Sequence, residues 1–353
     1  MPRSSIDSRC DDPLIGTLVA GRYLVRRRLA SGGMCAIYEL GHRVLKRRFA
    51  LKMLSPELAA DRLALRRFRR EAEMVAGLCH PNVVGIVDCD QLDDGSPFLV
   101  MELYDGEDLQ ARLARRGGLP VDELARIGDE VLAGLTVAHR AGIVHRDLKP
   151  SNVFLARDGA DGERAVLLDF GISSLRGVET LSGLHESIGT PLYMAPEQMR
   201  ARSTAVGPAT DVWSMGAILH EMATGVPAFD ADNLPAIAHR VLNGRPEPLC
   251  QRRPDLPPAL EGLIARALDP DPARRPRDAE ALRAELRQVV EWSAEQSVTD
   301  VDIRLEPDLG PPTERVVMLA APRRRRSRRA WSAALVMGLA ALAAAAVLVA
   351  VVT

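Results

Sequence analysis

The period of apolar and polar positions changes several times along the 353 residues, and each change predicts an element. Residues 1–22 are polar, then mildly apolar, and read as a lead-in. Strand-like alternation begins near Gly21 with Tyr23-Leu24-Val25, Arg26-Arg27-Arg28 and Leu29. It runs into Ala30-Ser31-Gly32-Gly33-Met34-Cys35-Ala36-Ile37-Tyr38, where Gly-Gly predicts a turn between two strands. A second strand pair ends in Phe49-Ala50-Leu51-Lys52-Met53-Leu54. A helical period follows from about Ala60 to Leu78, with Arg62, Arg66, Arg67, Arg69 and Arg70 on a solvated face. His80-Pro81-Asn82 breaks it, and Val83–Val87 and Phe98–Leu103 read as strands on either side of an Asp93–Ser96 turn. From Asp108 to Ala141 the period is helical again, with Leu109, Leu113, Leu124, Ile127, Val131, Leu132 and Leu135 as core. Val153–Leu155 and Val166–Leu168 predict a short hairpin, residues 172–188 read as a loop, and the remainder to about Glu291 is helical. Strands gathered first and helices afterwards make an α+β chain with a β-rich part at about 21–102 and a helical part at about 105–290.

Composition changes this picture mainly at the C-terminal end. Apolar residues make up 47% and charged residues 26%, a globular balance. The net charge of −1 hides an asymmetry: residues 323–353 carry six Arg and no acid, so the rest holds 40 basic against 47 acidic side chains. The positive charge is therefore local, which argues against a nucleic-acid partner. Residues 291–329 are polar, acidic and Pro-containing, a flexible linker that ends in Arg323-Arg324-Arg325-Arg326-Ser327-Arg328-Arg329. Residues 330–352 follow as an apolar run with no charge. From Trp331 to Val352, a rise of about 1.5 Å per residue gives roughly 33 Å, enough for a hydrocarbon core of about 30 Å. The Arg flank orients that side to the cytoplasm, so a single-pass inner-membrane anchor with a cytoplasmic folded domain is expected. The five Cys (10, 35, 79, 89, 250) lack metal-type spacing and read as free thiols of a reducing compartment.

Chemistry concentrates in His145-Arg146-Asp147-Leu148-Lys149-Pro150-Ser151-Asn152. Asp147 can accept a proton from an attacking hydroxyl, Lys149 can meet a transferring phosphoryl group, and Asn152 can ligate a divalent cation through its carbonyl oxygen. Asp169-Phe170-Gly171 lies twenty-two residues after Asp147 and offers a second carboxylate ligand. The Gly32-Gly33 hairpin can lay backbone N–H groups over phosphates, although a Gly-Gly turn is also simply a hairpin. Lys52 sits in an apolar strand and needs an anionic partner: ligand phosphate, or an acid of the following helix, Glu71 or its rival Glu73. Backbone groups of Glu102 and Tyr104 could bind a flat heterocycle.

Together these motifs, from about Tyr23 to Leu286, resemble a bacterial Hanks-type (eukaryotic-like) serine/threonine protein kinase. The resemblance implies a two-lobed kinase fold, a kinase domain at 23–290, and transfer of the γ-phosphoryl of ATP, with Mg²⁺ or alternatively Mn²⁺, to Ser or Thr of protein substrates. It implies that Asp147 is the catalytic base, that Lys149 stabilises the γ-phosphoryl group, and that Asn152 and Asp169 are metal ligands. Lys52 would hold the α/β-phosphates and pair with Glu71. The nucleotide would lie against Leu29, Ala30, Ser31, Gly32, Gly33, Met34, Cys35, Ala36 and Ile37, with Met101 as gatekeeper and Glu102 to Tyr104 as hinge. Glu197 and Arg275 would form a structural ion pair. Arg146 implies switching by phosphorylation of the loop, with Ser173, Ser174, Thr180, Ser182 and Ser187 as candidate acceptors and Thr180 first. Ala30 and Cys35 depart from the family's glycine pattern, which raises a membrane-tethered scaffold with impaired ATP turnover as the alternative. A homodimer stays open.

Overall fold

The computed structural model describes residues 12–32, 35–92, 94–159, 162–170, 191–200 and 206–299. The side chains of Pro56, Glu57, Arg67, Glu71 and residues 292–299 lie outside that description. So do the candidate phospho-acceptors, Thr190, Gly33, Met34, Cys10, most of the linker and the apolar run. Among the described residues, no helix is long and apolar enough to cross a membrane.

The N-terminal lobe is one antiparallel sheet of β1 (Leu18–Val19), β2 (Tyr23–Ser31), β3 (Cys35–His42), β4 (Arg48–Leu54), β5 (Ile86–Gln91) and β6 (Pro97–Glu102), in the order β1-β2-β3-β4-β6-β5. Strand β4 is central, and its two-residue period separates two apolar clusters. Phe49, Leu51 and Met53 pack with Tyr23, Val25, Leu40 and Phe98 on one face. Ala50 and Leu54 pack on the other with Leu99, Met101, and Phe68 and Ala72 of α2 (Arg62–Ala76). Lys52 shares the parity of Ala50 and Leu54, so it points toward α2 and the cleft. The helix expected from Ala60 to Leu78 is in fact two, because Asp61 stops α1 (Pro56–Ala60) and caps α2 by accepting from Leu63 N–H. The strand expected at Val83 begins only at Ile86. Val83 and Val84 are buried instead against Leu167, to which Val84 N–H donates. Part of the lead-in is docked: Val19 pairs with Tyr23, and the Tyr38 hydroxyl donates to Asp12.

The C-terminal lobe starts with β7 (Gly106–Asp108), α3 (Leu109–Arg116) and α4 (Val121–Arg140). The helix expected over 108–141 breaks at Gly117, whose φ of +70° an L side chain rarely adopts. Strands β8 (Val153–Asp158) and β9 (Gly162–Leu167) form the expected hairpin, paired to β7. Helices α5 (Pro196–Met199), α6 (Pro208–Thr224), α7 (Leu234–Asn243), α8 (Leu249–Arg252), α9 (Pro258–Ala267) and α10 (Ala279–Thr299) complete it. Helix α6 is buried all round and is the axis of the lobe's core.

Two ion-paired sites brace this lobe. Glu197 and Arg275 are both buried and meet as a fork, Nη1–Oε1 and Nη2–Oε2 each at 2.9 Å. Thr210 Oγ1 donates to the same carboxylate, Arg275 also donates to the Asp269 and Ala209 carbonyls, and its guanidinium lies over Trp213. Arg275→Met leaves the Glu197 charge buried without its partner, and it is expected to lower stability by about 3–5 kcal/mol in urea unfolding. Adding Glu197→Gln should recover part of that loss, whereas a lone variant as stable as the parent would contradict the fork's importance. The second site joins α4 to α10, where Arg283 and Arg287 both donate to Asp129. Burial alone would raise the Asp129 carboxyl, but the two arginines outweigh it and hold it down to about 2, against an ordinary 3.8. The folded pKa is the lower one, so the contribution is complete above about pH 4 and fades as pH falls toward about 2. Screening at this partly exposed site limits it to about 1 kcal/mol. Asp129→Asn is expected to flatten the stability–pH curve in that acid range, read by denaturation at a series of pH values; parallel curves would refute the linkage.

Candidate active site

Lys52 and Asp169 tie the two lobes together. Lys52 is 4% exposed, between Leu51 and Met53, and its Nζ lies 2.7 Å from Asp169 Oδ1. Burial by itself would raise the Asp169 carboxyl, and the Lys52 ammonium overcomes that and holds it below the usual range, with His145 and Lys149 adding smaller contributions. Asp169 has φ +52°, a left-handed conformation that Asp tolerates better than most residues. Phe170 is buried beneath it, its ring 4.8 Å from that of His145. Glu71, the expected partner of Lys52, lies on α2, and its side chain is outside the described residues. The rival Glu73 is exposed. Behind Met101 an apolar cavity is lined by Phe68, Ala72, Val75, Leu99 and Phe170, with Asp169 at its edge.

Across the cleft, the loop from His145 to Asn152 brings its three candidates together. Lys149 Nζ lies 2.9 Å from Asp147 Oδ2. Asn152 Nδ2 donates to the Asp147 carbonyl at 2.7 Å, which turns the amide oxygen away as the atom able to meet a cation. His145 supports the loop from below: Nδ1 accepts from Asp147 N–H, and Nε2 reaches the Leu168 carbonyl at 3.0 Å, next to Asp169.

The residue that sets this loop was not assigned a role from sequence. Asp211, at the start of α6, is fully buried. Its Oδ2 accepts from His145 N–H at 2.7 Å and its Oδ1 from Arg146 N–H at 2.8 Å, while Arg146 adopts φ +66°. An Asp in the first turn of an apolar helix looks like an ordinary N-terminal acid, so nothing local marked it. Tyr193 and Glu221 were likewise missed. The Tyr193 hydroxyl donates to Glu221 at 2.5 Å, and burial pushes both groups above their ordinary pKa ranges.

Strands β2 and β3 pair as a hairpin, with Gly32 N–H donating to the Cys35 carbonyl. Neither Ala30 nor Cys35 has a positive φ, so neither departure from glycine strains the backbone. Burial pushes the Cys35 thiol up, opposed in part by Lys52, so it is a protonated neighbour of the Lys52–Asp169 pair and no reactive thiolate. Leu29, Ala36 and Ile37 flank the turn on β2 and β3, with Ile37 opposite Lys52 in the register. At the connector, Glu102 N–H donates to the Gly85 carbonyl, which leaves the Glu102 carbonyl and the Tyr104 backbone as the groups to meet a ligand.

Comparison with known proteins agrees with this geometry. Residues 23–286 match the family model described as protein kinase domain. The chain is 36% identical over 284 residues to serine/threonine-protein kinase pkn3 of Myxococcus xanthus, which covers 79% of this chain and 52% of that protein. It is also 36% identical over 287 residues to serine/threonine-protein kinase PknL of Mycobacterium tuberculosis, covering 81% of this chain and 70% of that one. Among solved structures it is similar to the PknI kinase domain of Mycobacterium tuberculosis (C20A mutant), with 31% identity and a TM-score of 0.61 over 78% of this chain and 98% of that chain. The chain therefore spans about half the length of the myxococcal relative.

Proposed function

The chain belongs to the protein kinase family, with a domain of the bacterial Hanks-type serine/threonine kind, and from that premise we propose that it transfers the γ-phosphoryl group of ATP to Ser and Thr hydroxyls of proteins. The observation that carries this reading is the meeting of Lys52 with Asp169 at 2.7 Å, opposite a loop in which Lys149 and Asn152 both engage Asp147. Asp147 accepts the proton of the attacking hydroxyl as its oxygen bonds to phosphorus and the bond to the ADP oxygen breaks. Lys149 keeps the Asp147 carboxylate oriented and faces the charge of the moving phosphoryl group. Lys52 holds the α/β-phosphates, and the connector at Glu102 and Tyr104 takes the base.

The donor set fits Mg²⁺, with Mn²⁺ as the alternative: Asp169 and Asn152 offer a carboxylate and an amide oxygen, both hard ligands. Among the described residues no group of three or more His, Cys, Asp or Glu could hold an ion alone, so phosphate oxygens and water would complete the shell. When bound, the ion neutralises phosphate charge. Incubation with ATP, Mg²⁺ and a Ser/Thr-bearing basic protein is expected to show transfer. It should also place phosphate within residues 172–190, Thr180 first, where an exposed Arg146 could pair with it. Asp147→Asn should reduce the rate by at least about 10² with an unchanged unfolding midpoint. Full activity in that variant would remove Asp147 as the base, and an active preparation with an unmodified loop would remove the phospho-switch.

The tail supports attachment to a membrane. Six Arg precede an uncharged apolar run, the order expected of a spanning helix with its folded domain on the cytoplasmic side. The full chain should resist carbonate extraction from membranes, and a chain ending at Pro322 should be released. Release of both would refute the anchor without touching the phosphotransfer reading.

A further inference from the structure

The lead-in to β2 is fastened by one carboxylate. Residues 12–19 run beside β2: Gly16 N–H donates to the Val25 carbonyl, Val25 N–H donates to the Thr17 carbonyl, and β1 continues the pairing with Leu18 opposite Leu24. Leu14 and Val19 lie against the apolar cluster of Tyr23, Val25, Tyr38 and Leu51. At the start of this strap Asp12 turns inward, its side chain only 10% exposed. Its Oδ1 accepts from Leu14 N–H at 3.2 Å. Its Oδ2 accepts from the Tyr38 hydroxyl at 3.1 Å and lies 3.3 Å from Arg28 Nη1. Burial, and then the bond to Asp12, push the Tyr38 hydroxyl above its ordinary pKa, so it stays a donor.

The two partners of Asp12 are a cross-strand pair. Arg28 of β2 stands opposite Tyr38 of β3, next to the point where the register slips between Arg28 and Ala30. Leu29 is the extra residue of that bulge, and a bulge bends a strand and re-aims what lies beyond it. Beyond it is the glycine-rich turn from Ala30 to Cys35. Side chains alternate across a strand, so Tyr38 faces the strap while its neighbour Ile37 faces the other way, opposite Lys52 in the register. Asp12 therefore holds the back of the hairpin, on both strands at once, at the last pair before the bend.

We propose that Asp12 is a positioning residue for the nucleotide: by tying Tyr38 and Arg28 to the strap, it sets the angle at which the glycine-rich turn stands over the phosphates. Ala30 and Cys35 add side-chain bulk at that turn, so the angle of the hairpin decides how closely its backbone approaches a ligand. A hairpin already fixed before binding avoids the entropy of ordering it on the ligand, and the gain appears in affinity. Asp12 stands behind the hairpin and away from Asp147, so its effect falls on nucleotide binding and not on the chemical step. The proposal rests on the kinase reading above.

Four variants of the full chain test it. Asp12→Ala removes the acceptor. Asp12→Asn keeps an oxygen for the Tyr38 hydroxyl and the Leu14 N–H, and drops the charge facing Arg28. Tyr38→Phe removes the hydroxyl and leaves the ring in its cluster, and the fourth variant combines it with Asp12→Ala. The readouts are KM for ATP, kcat, the unfolding temperature, and hydrogen exchange of the peptide covering residues 29–37. For Asp12→Ala, KM for ATP is expected to rise about fivefold with kcat within about twofold, and exchange at 29–37 to quicken. Tyr38→Phe should move KM in the same direction, and the double variant should be no worse than Asp12→Ala alone. Asp12→Asn should stay within about twofold of the parent. Parental KM and exchange in both Asp12→Ala and Tyr38→Phe would overturn the proposal. So would additive effects in the double variant, or losses of kcat that follow the unfolding temperature, since that is the behaviour of a merely structural contact. If the parent chain transfers no phosphate, the kinase reading fails, and the dissociation constant for ATP in the same variants then decides the role of Asp12.

Discussion

A carboxylate sealed inside the C-terminal lobe, answered mainly by backbone, is the constraint on which the catalytic loop depends. Asp211 has no solvent contact, and an unanswered charge there would cost several kcal/mol. Backbone N–H groups are economical partners for it, because ordering them immobilises no long side chain. Two consecutive N–H groups converge on one anion when one of the residues adopts a left-handed conformation. Arg146 at φ +66° is that residue, so its backbone strain and the buried charge explain each other. The side chain of Asp147, next in the chain, is then presented to the cleft with Lys149 and Asn152 on either side.

The same device recurs wherever the fold must join distant parts of the chain. Lys52 of the sheet meets Asp169, and Arg275 meets Glu197, each a buried or half-buried ion paired to an element remote in sequence. Desolvation opposes such pairs, and they persist where extra hydrogen bonds use the remaining donors and acceptors. The Arg275 site meets that condition with carbonyls, a hydroxyl and an aromatic face. Asp169, in the cleft, keeps about a third of its side chain exposed, so one face of its carboxylate is open to solvent.

Much of this was legible in the sequence, for uneven reasons. Asp147, Lys149 and Asn152 are within five residues of one another, so their spacing alone brought them into one loop. Lys52 was legible because a charge within an apolar strand has few explanations. Period-two burial then placed it on the face toward the cleft. Breaks inside long apolar runs were harder. Asp61 as a cap and Gly117 as a left-handed turn ended helices that periodicity alone continued. Val83 and Val84 read as strand because burial against β9 makes the same apolar demand as a sheet. Least legible was Asp211, whose partners His139, His145 and Arg146 stand 65 to 72 positions away, a separation that local pattern does not encode.

The altered glycine-rich turn can be weighed on the same physical terms. Glycine serves there for positive φ or for close approach of the backbone to a ligand. Ala30 and Cys35 use neither positive φ nor a strained conformation, so only the second need is affected. Ala30 adds one methyl group. Cys35 adds a thiol that burial keeps protonated beside Lys52, so it brings bulk without a negative charge that would repel phosphate. The substitutions therefore bear on how closely the turn can settle over a nucleotide. The Asp211 brace on Asp147 lies in the other lobe and does not depend on them.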